Sequence, residues 1–173
     1  MALVIERPEA DRAKQAVSRR ALRSDHELLQ STCALVLAGG RGVRLRQMTD
    51  VRAKPAVPFG GTLRIVDFTL SNCLNSGIRQ VKVLTQYKAQ SLIRHVAGAW
   101  SFLDAGRGEA IEVVPAQQQN GACWYRGTAD AVHQNVELLR ESDPEYVLCL
   151  PGTMSTRWTT GASSRSTRGA MPT

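Results

Sequence analysis

Apolar positions fall into short runs set off by glycine, proline and polar clusters. The run Cys33-Ala34-Leu35-Val36-Leu37-Ala38 is apolar throughout and closes on Gly39-Gly40, which predicts a strand buried on both faces of a parallel sheet. Gln80-Val81-Lys82-Val83-Leu84-Thr85 alternates as a second strand, and Ile111-Glu112-Val113-Val114 and Tyr146-Val147-Leu148-Cys149-Leu150 supply a third and a fourth. Between them, residues 63–76 carry Leu63, Ile65, Val66, Phe68, Leu70 and Leu74 at nearly helical spacing and end on Asn75-Ser76-Gly77, whose glycine suits a helix C-cap. Residues 89–99 and Thr128 through Arg140 predict two further helices, the last capped by Thr128 after a tight approach at Gly127. Strand and helix in alternation predict a doubly wound α/β sheet with right-handed crossovers, in which ligands sit beyond the carboxyl ends of the strands. No repeat of fixed period occurs, which excludes solenoids and propellers.

The two ends differ from this middle. Residues 11–30 have helical composition, but Leu22, Leu28 and Leu29 are too few for an amphipathic stripe, so residues 1–30 are expected to form a partly ordered arm before a domain spanning 31–150. After Leu150, 10 of 23 residues are Ser or Thr and apolar periodicity is lost, the composition of disorder. With 173 residues, 43% of them hydrophobic, the chain is sized for one compact domain. No apolar run approaches the ~18–20 residues of a membrane span, and acidic and basic groups interrupt the first thirty residues where a secretory signal would need an apolar stretch of roughly 7–15. The four cysteines form no Cys-x-x-Cys pair and are expected to be reduced thiols in a cytoplasm. Net charge is +7, yet the last 23 residues hold Arg157, Arg165 and Arg168 without an acid, leaving +4 for the rest. With no basic stripe interleaved with aromatics, a nucleic-acid partner is not expected.

Three segments carry candidate chemistry. Gly39-Gly40-Arg41-Gly42-Val43-Arg44-Leu45 directly follows the first strand; glycines let backbone N–H groups approach an anion, and arginines pair with phosphate oxygens. Leu45 stands where a dinucleotide fingerprint needs a third glycine, and no Gly-Lys-Ser/Thr follows, so neither standard phosphate loop is present. A phosphate cradle and a plain structural turn both remain open. In Arg52-Ala53-Lys54-Pro55-Ala56-Val57-Pro58-Phe59-Gly60-Gly61 the prolines are expected to hold the chain extended, with Arg52 and Lys54 on one face. Together with the glycine loop these make four cations near one strand end, suited to a nucleoside triphosphate or a sugar phosphate, the alternative being a solvated basic loop. In Trp124-Tyr125-Arg126-Gly127-Thr128-Ala129-Asp130-Ala131-Val132 the aromatics could stack on a base or sugar, or simply pack in the core. Gln117-Gln118-Gln119 before it reads as a polar loop. His26, His95 and His133 have no metal-ligand spacing, and Asp67 in an apolar helix is either a buried acid, an N-terminal partner or exposed.

In this order and spacing the segments LVLAGGRGVRL, RAKPAVPFGG, LRIVDFTLSNCLNSGIRQVKVLTQY, PAQQ and WYRGTADAV closely resemble the bacterial glucose-1-phosphate adenylyltransferases, over roughly residues 34–150. The resemblance implies a Rossmann-like nucleotidyltransferase domain followed by a left-handed β-helix, a homo-tetramer, and the reaction of ATP with glucose 1-phosphate to ADP-glucose and pyrophosphate for glycogen synthesis, with Mg²⁺. It implies that Gly39, Gly40, Arg41 and Gly42 wrap the ATP phosphates while Arg44 and Lys54 neutralise charge building on the pyrophosphate, an electrostatic catalysis without a covalent intermediate. It also implies that Gln86 approaches the adenine, that Trp124 links nucleotide binding to activation, and that Tyr125 and Gly127 belong to the glucose 1-phosphate site. Another sugar-1-phosphate nucleotidyltransferase, or a non-catalytic nucleotide-binding or regulatory subunit, are the competing readings.

The chain departs from the family pattern at several places. Val43 stands where the glycine loop usually has Thr or Ser, and Val51 where some members carry a Lys that contacts a sugar-bisphosphate activator. From Pro151 the family continues Ala-Gly-Asp-His, its Asp binding Mg²⁺, and that Asp is missing, as are the later ligands and the β-helix. Back-translated with suitable wobble bases and regrouped so that each codon takes the third base of one and the first two of the next, Pro151 to Thr160 reads Gly-Asp-His-Val-Tyr-Lys-Met-Asp-Tyr. One base lost from an Ala codon after Leu150 would produce residues 151–173 as an out-of-frame, disordered tail. The expected product is a nucleotidyltransferase domain truncated after about four strands, without metal ligands or activity, and with bare sheet edges that invite aggregation.

Overall fold

The computed structural model describes residues 3–6, 24–40, 42–103, 108–117 and 124–154. Arg41, Gln118, Gln119, Cys123, most of the N-terminal arm and residues 155–173 lie outside the described residues. The elements are β1 (Leu3–Glu6), α1 (Asp25–Gln30), β2 (Thr32–Leu37), α2 (Ile65–Asn75), β3 (Gln80–Thr85), α3 (Gln90–Ala99), β4 (Ala110–Pro115), α4 (Thr128–Gln134), α5 (Val136–Ser142) and β5 (Tyr146–Pro151), with 3₁₀ turns at Val43–Thr49 and Lys54–Ala56. The strands form one sheet in the order β1-β5-β2-β3-β4, in which β2 to β5 are mutually parallel where they pair and β1 runs antiparallel to β5. This is the doubly wound α/β class expected of a Rossmann-like nucleotidyltransferase domain, with the chain reversing direction across the sheet between β2 and β5.

The uninterrupted apolar run of β2 reflects its place in the centre, where Cys33, Ala34, Leu35 and Val36 are all 0% exposed. Alternate residues feed two separate cores. Ala34 and Val36 join Val66, Leu70, Val83 and Leu92 beneath α2 and α3, whereas Cys33 and Leu35 join Leu84, Ala131, Leu139 and Cys149 beneath α4 and α5. Gly77, at φ +90, turns the chain out of α2 as its sequence position predicts.

Four expectations are corrected. The helix expected from Thr128 through Arg140 is two helices broken at Asn135, whose side-chain amide donates to the Ala131 carbonyl at 2.7 Å in competition with the backbone. Thr128 does not cap α4: Gly127 occupies that position with extended backbone, and the Asp130 carboxylate instead accepts the Arg126 backbone N–H at 2.9 Å. That N–H holds the Asp130 carboxyl below the usual carboxylate range. The segment at Lys54–Ala56 is a 3₁₀ turn, with Pro55 preset for helical φ, while Ala53 and Val57 on either side remain extended. The free edge expected on β5 is covered, because Leu3–Glu6 pairs along it from Leu3 opposite Cys149 to Glu6 opposite Tyr146.

Two outcomes follow from this architecture. Burial pushes the thiol of Cys33 up to about 11 and that of Cys73 up to about 12, and raises Cys149 as well. All three should therefore resist a thiol-specific chromogenic reagent at pH 8 and react only once guanidinium unfolds the chain. Deleting residues 1–6 should bare the β5 edge, lowering stability to urea by of order 2 kcal/mol and raising light scattering by the folded chain.

Candidate active site

The strand register brings three strand ends level. Leu37 pairs with Leu84 of β3 on one side and with Pro151 of β5 on the other, so the loops after β2, β3 and β5 meet at the point where strand order reverses. The glycine-rich loop leaves β2 here. Ala38 donates its N–H to the Leu84 carbonyl at 2.8 Å, and Gly39 then passes so near Gln86 that a Cβ on Gly39 would lie 3.1 Å from the Gln86 Cβ. Gly40 faces open space, and its backbone is exposed. Gly42 adopts φ +68, where L side chains are strained, and a Cβ there would come within 2.7 Å of the Lys54 Cβ. The Thr49 hydroxyl donates to the Gly42 carbonyl at 3.1 Å. Glycine at 42 thus answers two demands at once, the left-handed backbone and the approach of Lys54.

Around this loop the structure assembles most of the residues singled out in the sequence. Arg44 stands exposed on the 3₁₀ turn that Gly42 opens, and Lys54 lies half-buried against Gly42. The Arg64 guanidinium is drawn below its ordinary value by burial and by the charge of Arg52. The Gln86 amide donates to the Tyr125 carbonyl at 3.4 Å, linking the β3 loop to the segment before α4. Tyr125 packs against the core under α4 and α5, and its hydroxyl accepts from the Asn135 amide at 2.9 Å. Trp124 beside it is 49% exposed, so of the two aromatics Tyr125 is the packed one and Trp124 presents its ring to solvent. Gly127 is exposed at the start of α4.

Three features of this region had little or no signal in the sequence. Asn135, inside an apparent helix, orients the Tyr125 hydroxyl; only the low helix propensity of Asn marked it. Lys88 takes φ +41, rare for a side chain of that size, and its ammonium donates to the Asp50 carbonyl, so the β3 loop grips the end of the first 3₁₀ turn. Thr69, buried in α2, sets its hydroxyl 3.2 Å from the Pro151 carbonyl and 3.3 Å from that of Met154, while Gly152 donates to Leu37 at 2.9 Å. The loop after β5 is thereby held beside the glycine loop.

Chemically, the region offers glycine backbone, two cations and a side-chain amide at a strand-end crevice, a combination suited to a polyphosphate attached to a base. Among the described residues no three His, Cys, Asp or Glu side chains converge, and the loop after β5 presents Thr153 and Met154 instead of a carboxylate. No helix of the described residues is long and apolar enough to cross a membrane.

Comparison with known proteins agrees with this geometry. The family model described as Nucleotidyl transferase matches residues 33–161. The chain is 60% identical over 131 residues to a glucose-1-phosphate adenylyltransferase of Nitrosospira multiformis, covering 76% of this chain and 31% of that protein. It is 61% identical over 125 residues to one of Methylococcus capsulatus, covering 72% and 30% of the two chains, and 63% identical over 126 residues to one of Nitrosomonas europaea, covering 72% and 29%. The chain therefore spans about 30% of the length of these relatives. Matched by its family model across the whole strand-end crevice, the chain belongs to the nucleotidyl transferase family.

Proposed function

We propose that the chain is the nucleotide-binding part of a glucose-1-phosphate adenylyltransferase. In that reaction a phosphate oxygen of glucose 1-phosphate attacks the α-phosphorus of ATP, the α–β phosphoanhydride bond breaks, and pyrophosphate leaves as ADP-glucose forms. The observation that carries the proposal is the packing of Lys54 against the left-handed Gly42, which sets a cation beside a glycine loop at the switch point of the sheet. On this reading the backbone from Gly39 to Gly42, with Arg41, wraps the phosphates. Arg44 and Lys54 offset the charge that grows on the leaving pyrophosphate, a contribution that needs only preorganised position. Gln86 approaches the adenine, Trp124 uses its exposed ring to link nucleotide binding to activation, and Tyr125 and Gly127 form the near wall of the glucose 1-phosphate site. A cytoplasmic setting belongs to the same proposal and is supported by cysteines that form no Cys-x-x-Cys pair; the homo-tetramer is what the resemblance implies for full-length relatives that carry the β-helix.

Thr153 favours binding without turnover for the chain as it stands. It occupies the position that the regrouped reading frame gives to Asp, so the reading includes residues 151–173 as an out-of-frame tail. Mg²⁺ would then arrive with the nucleotide, held by its phosphates.

Titration calorimetry with ATP tests the site. The chain should bind ATP and release little pyrophosphate when glucose 1-phosphate is added. Lys54→Ala should weaken ATP about ten- to a hundredfold, the worth of one charge-assisted hydrogen bond, with the unfolding midpoint unchanged. Gly42→Ala should lose both affinity and stability, because the added Cβ meets Lys54 on a backbone that disfavours it. Absence of ATP binding by the unaltered chain overturns the proposal. For the tail, sequencing the gene across codons 140–180 should find one further base that restores Ala-Gly-Asp-His after Leu150; a confirmed shorter frame with no in-frame coding downstream removes that part of the reading.

A further inference from the structure

We propose that Asp67 is a positioning residue for Lys54, acting through Arg64; the inference rests on the nucleotide-binding reading of the Lys54 site. Asp67 lies in the first turn of α2 and is only 3% exposed. A carboxylate so placed is costly unless donors surround it, and here three do. Its oxygens accept the backbone N–H of Arg64 at 2.7 Å, the indole N–H of Trp100 at 2.9 Å, and His95 Nε2 at 2.8 and 2.9 Å. A carboxylate only accepts, so Nε2 of His95 carries the proton. These donors come from the start of α2, from α3 and from the residue that ends α3. Asp67 therefore fastens α2 to α3.

Arg64 converts that fastening into the position of a turn. With its backbone fixed by Asp67, its guanidinium donates to the Ser91 carbonyl of α3 at 2.8 Å and to the Ala56 carbonyl at 3.4 Å. Ala56 closes the 3₁₀ turn that begins at Lys54. The Ile65 N–H donates to the Val57 carbonyl at 3.1 Å, and a bridge joins Pro58 to Arg64, so the turn is tied on its far side as well. Lys54 reaches Gly42 from this anchored turn. A lysine has a flexible four-carbon stem, and anchoring its backbone reduces the freedom it must lose when a phosphate binds.

The test uses the full chain with Asp67→Asn, which keeps the shape but turns one acceptor into a donor facing donors. A second variant, Arg64→Ala, removes the guanidinium and leaves the backbone N–H on Asp67. Hydrogen exchange should quicken by about tenfold or more at the amides of Ala56 and Val57, which bond to Ala53 and Lys54, while amides of β2 and β3 keep their protection. ATP affinity should fall about five- to twentyfold with adenosine affinity unchanged, and neither variant should lower ATP affinity further when combined with Lys54→Ala. Unchanged exchange at Ala56 and Val57, or a loss of ATP affinity that persists in full without Lys54, overturns the assignment. If Asp67→Asn does not fold, Arg64→Ala decides by the same readouts. If the unaltered chain binds no ATP, the nucleotide-binding reading fails, and the exchange measurement alone decides whether Asp67 holds the turn.

Discussion

A strand buried on both faces has no room for polar side chains along its buried length, and β2 is such a strand from Cys33 to Val36. Whatever chemistry the domain carries must then lie beyond its carboxyl end, and the pairing of Leu37 with both Leu84 and Pro151 decides what meets there. Three loops converge in so small a volume that bulk itself becomes a constraint. Gly39 stands against Gln86, Gly42 against Lys54, and Gly152 against the Leu37 carbonyl, which a Cβ would approach to 3.1 Å. The glycines that would expose backbone donors to a phosphate are thus the same ones that let the loops close up.

Much of this is legible in the sequence alone. The strands of the parallel sheet follow from short apolar runs bounded by turn residues, because each such run has one use in a sheet whose two faces are covered. The glycine loop and the Lys54 segment were legible as candidates because glycine and cations after a strand have a limited range of physical uses. What stayed hidden depends on partners distant in sequence. Leu3–Glu6 is too short to declare itself inside a charged arm, and becomes a strand only because β5 offers it an edge. Asn135 breaks a helix that its neighbours support, because its amide finds the Ala131 carbonyl and the Tyr125 hydroxyl. Asp67 could be seen as a polar residue in an apolar helix, but two of its three donors lie 28 and 33 positions downstream.

Polar burial in this domain is concentrated beside the site. Asp67, Thr69 and Asn72 are all buried on α2, and for two of them the partners are known elements of the crevice. Asp67 reaches the Lys54 turn by way of Arg64, and Thr69 reaches the loop after β5. Apolar contacts would hold α2 on the sheet without these groups. A hydrogen bond, unlike an apolar contact, fixes direction as well as distance, and direction is what a loop needs if its cation is to meet a phosphate.

The loop after β5 shows how far scaffold and chemistry can separate. Gly152 donates its backbone N–H to Leu37, and the Thr69 hydroxyl faces the main-chain carbonyls of Pro151 and Met154. Every one of these contacts uses a main-chain atom of the loop, and the crowded position is Gly152. A change of side chain at position 153 therefore leaves these contacts in place at the point where three strand ends meet. Main-chain contacts hold this loop beside the glycine loop whichever side chains it carries, so the form of a nucleotidyl transferase domain and the chemistry at its strand ends rest on different atoms.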